Sequence, residues 1–314
     1  MRPVKTQVIV NPASNHGRTR KRWGEIRDAL RSFFKDFRYE FTEKPCHATE
    51  LTREAIRDGT ELVIGVGGDG TMNEIANGFY EEEHIINPES TLGIVPSGTG
   101  SDFTKSLSIP QGLRNALRVI TEAPSSPIDV GQVTFRSPQG GTQRRFFLNV
   151  ADFGVGGEVV KKVNERRLER RASSYVRCLV ETMLQYRSKR LRVRVDGREL
   201  PEDVYLVGAV ANGRIFGKGM KIAPQARLDD GLFDLVLVKG MRFLEFCRYG
   251  WRLFNGSHLH INKVAFVRGR SVEAEPAENQ PVLLELDGEQ LGSLPAKFEV
   301  VPKSLLVKGF LQKA

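Results

Sequence analysis

The feature that most constrains the fold is the stretch Leu62–Thr71, where an apolar run leads directly into four glycines within six residues. Leu62, Val63 and Ile64 are typical of a buried strand. The glycines allow the backbone to turn and to approach a ligand closely. Thr71 and Glu74 fit a capping box, which predicts a helix beginning at Thr71. A strand, a glycine turn and a helix N-terminus direct N–H groups towards one point, which suits a phosphate.

Short strands and amphipathic helices alternate on both sides of this stretch. The expected strands are Val8–Val10, Arg38–Thr42 and Thr91–Val95, and the expected helices are 23–37, Ala48–Asp58 and Gly112–Ala123. This alternation predicts a mainly parallel sheet with helices on both faces. Ligands of such sheets bind beyond the carboxyl ends of the strands. Polar loops at 11–17, 65–71 and 96–103 follow three of the strands, so we expect them to converge.

The pattern changes near Ala123–Pro127, where β-type runs begin to dominate. Leu191–Val195 alternates strictly between apolar and cationic residues, as expected of a strand with one buried face. A helical stretch at about 158–186 interrupts these strands, and Leu305–Phe310 is expected to return as a strand to the first domain. The further expected strands are Arg145–Val150, Val204–Ala211, Leu232–Val238, Val264–Val267, Val282–Leu286 and Lys297–Val301. The predicted domains are therefore 1–128 with 304–314, and an antiparallel sandwich at 129–303.

The charge of the chain indicates an anionic partner. The 314 residues carry a net charge of +9, which favours nucleic acid, phosphates or a membrane surface. Basic residues are dense at 161–171 and 187–198. Such runs are usually solvated faces, but each cation near an anionic membrane contributes about 1 kcal/mol of attraction. No aromatic stripe or recognition helix accompanies these runs, so we expect no nucleic-acid partner.

Cysteine usage and hydropathy predict where the protein acts. Cys46, Cys178 and Cys247 are scattered and show no disulfide framework or zinc spacing, which favours a reducing cytoplasm. The longest apolar run, Val204–Ala211, is far shorter than a membrane span. We therefore expect a cytoplasmic protein that contacts the inner face of the membrane only peripherally.

Residues 65–70 also satisfy the dinucleotide fingerprint G-x-G-x-x-G, a pattern of low specificity. The fingerprint normally follows the first strand and has an acidic ribose partner about twenty residues later, and neither condition holds. Asp69 would place a negative charge beside the pyrophosphate. Bound Mg²⁺ would relieve that repulsion, so Asp69 favours a metal–nucleotide complex.

Four motifs then occur in a recognisable order. They are Asn11-Pro12 with Ser14, Gly67–Thr71, Pro96–Thr99 with Asp102-Phe103, and Leu286–Glu289. In this order the chain resembles the diacylglycerol kinase catalytic-domain family, which includes bacterial diacylglycerol kinases and sphingosine and ceramide kinases. The second motif alone is shared with NAD kinases, whereas the four together are far more specific.

The resemblance covers Val8 to Val301. It implies an α/β plus all-β fold, with an N-terminal three-layer nucleotide-binding domain like that of NAD kinases, a C-terminal β-sandwich and a cleft between them.

The resemblance also implies roles for individual residues. Glu289 matches the proton acceptor, with Asp287 beside it. Asp69, Asp129 and Asp287 match the residues that hold the catalytic Mg²⁺, directly or through water. The residues implied to bind ATP are Asn11, Thr42, Gly67, Gly68, Asp69, Gly70, Thr71, Ser97 and Thr99.

A second, structural magnesium site is implied near Asp230. Its ligands would be the Asp230 side chain and the carbonyls of Arg227 and Leu232. Without the resemblance, Asp229-Asp230-Gly231 would be read as a simple hairpin turn.

Two positions depart from the family pattern. Ser101 stands where the family usually has Asn, which leaves one contact in doubt. Asn15 stands where glycine is common. Because Asn tolerates a positive φ better than most residues, we expect that loop to keep its shape.

The combined expectation is an ATP- and Mg²⁺-dependent lipid kinase that converts diacylglycerol to phosphatidic acid. Transfer of a γ-phosphoryl group needs positioning and charge neutralisation, and the alcohol acceptor needs a base such as Glu289. A sphingoid base or ceramide is the rival acceptor, and NAD a more distant one. A catalytically silent lipid-binding or regulatory protein is the rival from another class. The expected partners are a membrane lipid and an anionic membrane surface, and a homodimer is left open.

Overall fold

The structure is a computed structural model that describes residues 4–98, 100–166 and 172–309. The chain divides into two units, Met1–Val130 with Pro302–Ala314, and Gly131–Val301. The boundaries expected from the sequence differ from these by two residues at each junction. The chain passes between the units within two strands, β7 (Ser125–Arg136) and β17 (Glu289–Lys308).

The first unit alternates strands and helices as the sequence predicts. Its strands are β1 (Thr6–Val10), β2 (Arg38–Phe41), β3 (Leu62–Gly67), β4 (Tyr80–Glu81), β5 (His84–Ile85) and β6 (Thr91–Pro96), and its helices are α1 (Arg18–Lys21), α2 (Trp23–Phe33), α3 (His47–Arg57), α4 (Asp69–Gly78), α5 (Asp102–Ser106) and α6 (Leu113–Glu122). The main sheet is parallel, in the order β17, β6, β3, β1, β2. Leu306 of β17 pairs with Thr91, so the expected returning strand is confirmed.

The alternation of side chains along β3 separates the two helical layers of this unit. Ile64 and Val66 belong to the cluster that includes Leu30 of α2 and Ile120 of α6. On the opposite face, a Cβ added at Gly65 would collide with Ile75 and Met72 of α4. Since successive residues of a strand point to opposite faces, α2 and α6 cover one face and α4 the other. The first unit therefore has three layers.

The N-terminus of α4 differs from the prediction. The helix begins at Asp69 with Gly68 as its N-cap, two residues before the expected start at Thr71. The capping box is wrong, because both of its side chains have other partners. Thr71 Oγ1 accepts a hydrogen bond from Asn11, and Glu74 Oε2 accepts one from the backbone N–H of Ala48 at the start of α3. Tertiary contacts have replaced the local hydrogen bonds.

The second unit is built mainly from antiparallel strands. Its further strands are β8 (Thr142–Phe147), β9 (Val150–Gly154), β10 (Lys189–Val195), β11 (Arg198–Glu199), β12 (Asp203–Ala211), β13 (Phe233–Lys239), β14 (Val264–Gly269), β15 (Ser271–Pro276) and β16 (Leu283–Leu286), and its helices are α7 (Val155–Glu165), α8 (Ala172–Gln185), α9 (Phe243–Tyr249) and α10 (Arg252–Asn255), followed by a 3₁₀ turn at Ser257–His260. Within the expected helical stretch the structure describes α7 and α8, and residues 167–171 of the basic run lie outside the described residues. No helix in the described parts of the chain is long and apolar enough to cross a bilayer.

Aromatic rings dominate the core of the second unit. Phe147 stacks on Phe233 with ring centroids 5.6 Å apart, and Phe298 lies 6.5 Å from Phe147 and 6.1 Å from Phe153. All four side chains are fully buried. Rings at these separations interact favourably beyond the apolar area that they bury. A second apolar cluster lies beneath the helices and includes Val159 of α7 and Cys178 of α8.

The cationic face of β10 is an ion-pair ladder. Arg190, Arg192 and Arg194 point to the exposed face, as the alternation predicts, and each has at least two carboxylate partners. Those partners are Glu199, Glu202, Glu273, Glu275 and Glu278, at N–O distances of 2.9–3.9 Å. Exposed pairs of this kind contribute about 0–1 kcal/mol each. Their main effect is that the positive charge of these three arginines is neutralised.

Candidate active site

The predicted nucleotide loops of the first unit meet at the carboxyl ends of β1 and β3. The backbone N–H of Asn11 donates to the carbonyl of Val66 at 3.0 Å, and its side-chain Nδ2 donates to Thr71 Oγ1 at 2.9 Å. The N–H of Ser97, just after β6, donates to the carbonyl of Gly67 at 2.7 Å. Asn11, Gly67, Thr71 and Ser97 are therefore brought together as expected.

Two glycines make this convergence possible. A Cβ at Gly98 would lie 2.5 Å from the Cα of Gly68, closer than carbon atoms can approach. A Cβ at Gly67 would lie 2.5 Å from Thr71 Oγ1. Only glycine lets these backbones pack so closely. The first amides of α4, from Asp69 onward, have no acceptor within the helix and carry the positive end of its dipole.

A cluster of hydroxyl groups beside these loops was missed by sequence reasoning. Thr19, which is fully buried, lies 2.6 Å from Ser14 Oγ and 2.6 Å from Ser97 Oγ. Ser14 Oγ also donates to the Ser97 carbonyl at 3.2 Å. These bonds attach the first loop to the loop after β6. Ser14 was visible in the first motif, whereas nothing in the sequence marks Thr19 as different from other helical threonines.

Asp69 holds the N-terminus of α5. Its two carboxylate oxygens accept the backbone N–H groups of Asp102 at 3.0 Å and Phe103 at 3.2 Å. The preceding residue, Ser101, adopts the left-handed conformation with φ 49°. The carboxylate of Asp102 is buried and is paired with Lys105 at 2.6 Å. Asp69 therefore joins the glycine loop to the loop after β6 through charge-assisted hydrogen bonds.

The two departures from the family pattern have the same backbone consequence. Asn15 has φ 51°, so the expectation of a positive φ at this position is confirmed. Ser101 also has a positive φ, which Asn tolerates more readily than Ser. The shorter Ser101 side chain therefore accompanies a strained backbone position at the start of α5.

The remaining predicted residues of the first unit lie in different surroundings. The N–H of Thr42 donates to the carbonyl of Val10 at 2.9 Å, which places Thr42 at the end of the strand beside β1. Asp129 is fully buried, and its Oδ1 accepts the N–H of Lys303 at 2.8 Å. Thr99 lies outside the described residues.

In the second unit, the Leu286–Glu289 motif forms a two-residue β-hairpin between β16 and β17. Leu286 pairs with Glu289 across the ladder. Asp287 and Gly288 both have positive φ, 46° and 91°, as a type I′ turn requires. A tight turn between two strands is compatible with a functional role for Glu289. Glu289 is partly exposed at the first position of β17.

The Asp287 carboxylate attaches this hairpin to the start of β9. It accepts the backbone N–H groups of Leu148, Asn149 and Val150 at 2.9, 3.1 and 2.9 Å. A carboxylate has about four lone-pair sites, so at least three are already in use here. This arrangement gives Asp287 a positioning role that its place in the motif does not reveal.

Two further carboxyl groups lie behind the hairpin. Asp152 of β9 is directly opposite Glu285 of β16, and both side chains are buried. Glu285 Oε1 accepts the N–H of Gly288, whereas neither oxygen of Asp152 has a hydrogen-bond partner. A Cβ at Gly156 would lie 2.2 Å from Asp152 Oδ1, so that glycine makes room for the carboxyl group. Burial, and then the charge of Glu285, raise the pKa of Asp152 well above its usual value.

The predicted structural magnesium site has an arginine beside it. Asp230 Oδ2 is bonded to Arg268, whose Nε also donates to the buried Asp234 at 2.8 Å. Asp230 Oδ1 accepts the N–H of Leu232 at 3.2 Å. The negative charge of Asp230 is thus already met by a guanidinium. A divalent ion at Arg227–Leu232 would have to compete with this guanidinium for the Asp230 carboxylate.

The predicted catalytic metal ligands are not grouped within either unit. Among the described residues, no three His, Cys, Asp or Glu side chains are placed to hold a metal together. Asp69 and Asp129 nevertheless supply carboxylate oxygens, the donor type that Mg²⁺ prefers. They fit an ion held through few direct ligands and several waters, which is the usual arrangement for Mg²⁺.

Comparison with known proteins assigns the chain to a family. Residues 5–133 match the diacylglycerol kinase catalytic domain, and residues 149–309 match the YegS C-terminal NAD kinase beta sandwich-like domain. The chain belongs to the diacylglycerol kinase catalytic-domain family. The predicted combination of a nucleotide-binding α/β domain and a β-sandwich is thereby confirmed, and the chain is a lipid kinase.

Relatives of this lipid kinase match it along nearly its full length. Two of them are proteins named diacylglycerol kinase, from Staphylococcus carnosus (strain TM300) and Bacillus subtilis (strain 168), which are 28% and 26% identical to this chain. Each alignment covers 94% of this chain, and the two cover 91% and 92% of the respective relatives. A crystal structure assigned provisionally as a diacylglycerol kinase from Bacillus anthracis str. Sterne has a TM-score of 0.75 at 25% identity, with 98% of each chain covered. Yeast NADH kinase complexed with NADH shares the fold, with a TM-score of 0.53 at 12% identity. That alignment covers 100% of this chain and 85% of the yeast chain.

We expect Asp152→Asn in the lipid kinase to remove a pH dependence of stability. Because the folded-state pKa of Asp152 is raised, the folded chain binds more protons than the unfolded chain above the usual aspartate range. Wild-type stability should therefore fall as the pH rises from about 4 towards the raised pKa, whereas the amide avoids this loss.

The measurement is the melting temperature of both proteins between pH 4 and 9. Asp152→Asn should melt at the same temperature as wild type or a higher one at pH 8. At pH 4 its melting temperature relative to that of wild type should be lower than at pH 8. A constant difference across this range would contradict the buried protonated carboxyl.

We also expect the stability of the lipid kinase to be insensitive to Mg²⁺ because Arg268 already neutralises Asp230. Melting temperatures with EDTA and with Mg²⁺, both without nucleotide, should agree for wild type. Arg268→Gln should be less stable, because it leaves the buried Asp234 without its cation. It should also be stabilised by Mg²⁺, which can then bind Asp230.

Arg192→Gln provides a matched control, since it removes an arginine from the exposed ladder rather than from Asp230. It should remain insensitive to Mg²⁺. A wild-type protein that loses stability in EDTA would show that the structural ion is present despite Arg268.

Proposed function

We propose that this lipid kinase transfers the γ-phosphoryl group of ATP to the hydroxyl of diacylglycerol, which gives phosphatidic acid. The observation that carries the proposal is the close packing of Gly68 on Gly98 at the N-terminus of α4. This packing holds two loops together where backbone amides and a helix dipole suit phosphate. The names of the relatives and the four ordered motifs support the choice of lipid.

We assign the phosphates of ATP to the glycine loop of the first unit. The N–H groups at the start of α4 point to the ligand position, and the backbone at Gly67, Gly68 and Gly70 can approach it without steric hindrance from Cβ atoms. Asn11 and Ser97 support this loop through the hydrogen bonds described above. Preorganised donors of this kind stabilise charge that develops during phosphoryl transfer.

Asp69, Asp129 and Asp287 are the residues that would hold Mg²⁺, directly or through water. When bound, the ion neutralises negative charge on the transferred phosphoryl group. Asp69 and Asp287 are already fixed by five backbone N–H groups in total. Their oxygens therefore need little reorganisation when a cation binds.

We assign Glu289 as the base that accepts the proton of the lipid hydroxyl. It is partly exposed at the end of a tight hairpin. The hairpin is held in place because Asp287 accepts a hydrogen bond from the N–H of Val150 in β9 and Glu285 accepts one from the N–H of Gly288. A base must lie within hydrogen-bond reach of the proton that it removes, so rigid support of the hairpin is part of its function. Asp287 and Glu285 act as positioning residues.

The acceptor is tested with labelled ATP, Mg²⁺ and a panel of lipids in mixed micelles. We expect phosphorylated product from diacylglycerol. Product only from sphingosine or ceramide would assign the chain to the rival acceptor class. Bound lipid without product from any lipid, or from NAD, would show a catalytically silent lipid-binding protein.

We expect Glu289→Gln to lower kcat by about 10²–10⁴-fold, because general base catalysis contributes rate enhancements of that size. ATP binding, measured by calorimetry, should be nearly unchanged, since the substitution lies outside the glycine loop. Glu299→Gln is the matched control, because Glu299 is an exposed glutamate of the same strand that is paired with Lys297 at 2.8 Å. It should retain wild-type turnover. A Glu289→Gln enzyme with normal turnover would remove the assigned base.

A further inference from the structure

The segment 243–255 of the second unit forms an almost continuous helix on the protein surface. α9 and α10 are separated only by Gly250 and Trp251, and both of these residues have right-handed helical dihedral angles. The segment ends at Gly256, which has φ 81° and serves as the C-cap. Its side chains can therefore be compared along a single helical surface.

One side of this helix exposes large apolar side chains. Leu244 is 80% exposed, Trp251 58% and Phe254 57%, and these are three of the seven large hydrophobic residues exposed in the described chain. Spacings of seven and three residues place them on the same side of a helix. The opposite side is covered, because Phe246 and Leu253 pack against the helical cluster of the second unit.

Arginines lie beside this apolar stripe. Arg248 follows Leu244 by one turn, and Arg252 follows Arg248 by another. In the described chain neither guanidinium has a carboxylate partner within ion-pair distance, although the one acidic residue of the segment, Glu245, is paired with Lys263 at 2.8 Å. The guanidinium carbons of Arg248 and Arg252 lie 5.6 and 5.5 Å from the centre of the Tyr249 ring.

The other basic stretches of the second unit lack this combination. The arginines of β10 are neutralised by the glutamates of the ladder, which leaves little charge to attract an anionic surface. Lys161 of α7 has Glu165 at 3.9 Å, one helical turn away. Of the four large apolar side chains that are exposed in the described part of the second unit, three lie at 243–255 beside these arginines.

We propose that this surface, defined by Leu244, Arg248, Trp251, Arg252 and Phe254, docks the protein onto a membrane that contains anionic lipid. An interfacial helix places aliphatic and aromatic side chains at the boundary of headgroups and acyl chains, with basic residues beside them. Trp is favoured at that depth because its ring is amphipathic. The inference rests on the proposed function only for its choice of a lipid partner over a protein.

Intrinsic fluorescence provides a direct test of this docking. The chain has two tryptophans, of which Trp23 is 9% exposed and Trp251 58% exposed. Vesicles of phosphatidylglycerol and phosphatidylcholine should shift the emission to shorter wavelength, because Trp251 leaves water. Brominated acyl chains should quench it. Trp251→Phe should abolish both effects, whereas an unchanged shift in that variant would overturn the proposal.

Vesicle cosedimentation without ATP then identifies the binding surface. The double variant L244S/F254S should bind at least about tenfold more weakly than wild type, because two apolar side chains no longer enter the membrane. Leu184→Ser is the matched control, since Leu184 is 63% exposed on α8 beside the basic runs. If Leu184→Ser loses binding and L244S/F254S retains it, the membrane face lies elsewhere and the proposal fails.

The arginines are tested through charge. Arg248→Gln with Arg252→Gln should weaken binding by about thirtyfold at low salt, and most of that difference should disappear at high salt. Arg192→Gln, from the neutralised ladder, should change binding little. Equal binding of wild type to pure phosphatidylcholine and to anionic vesicles would overturn the electrostatic part of the proposal.

Two other outcomes are distinguished by the same design. If the apolar stripe instead joins two copies of this chain, L244S/F254S would convert a dimer to a monomer in analytical ultracentrifugation without changing vesicle binding, and the proposal would be wrong. Failure of the proposed kinase activity is separate, because these binding measurements contain no nucleotide. Vesicle binding without lipid phosphorylation would leave the docking surface in place and reject only the reaction.

Discussion

The candidate active site depends on hydrogen bonds that carboxylate side chains accept from backbone N–H groups. Asp69 binds two amides at the start of α5, Asp129 binds one at Lys303, and Asp287 binds three at the start of β9. Loop amides that no neighbouring strand satisfies need such partners, since an unpaired buried N–H costs as much as a lost hydrogen bond. The same three residues are the ones proposed to hold Mg²⁺, so the side chains that fix these loops are also the candidate metal ligands.

The distribution of charge shows why a basic stretch of sequence does not define a binding surface. The cationic face of β10 is dense in arginine, but neighbouring strands bring glutamates to every arginine of its ladder. The segment 243–255 has fewer cations, yet its arginines stay without carboxylate partners in the described chain and lie beside exposed apolar side chains. Attraction to an anionic surface depends on unneutralised charge, and cross-strand pairing determines how much remains.

The sequence predicted most of the first unit because its signals are local. Apolar periodicity located the strands and helices, and the glycines of the 65–71 stretch marked a loop where close backbone approach was expected. The predicted capping box is wrong because the Thr71 hydroxyl accepts a hydrogen bond from Asn11, which is distant in the sequence. Thr19 and the Asp152–Glu285 pair could not be foreseen, since their roles arise from residues that meet only in the folded chain.

By itself the sequence determined the family, the alternating α/β pattern, the β-rich second half and the positions of the four motifs. Those features follow from residue type and spacing, because the periodicity of apolar residues determines where strands, helices and turns form. Only the tertiary structure decided which partner each charged group found: the backbone amides on Asp287, the guanidinium of Arg268 on Asp230, and the glutamates along β10. Electrostatic and hydrogen-bond partners are chosen by proximity in space, and strand register and loop conformation set that proximity.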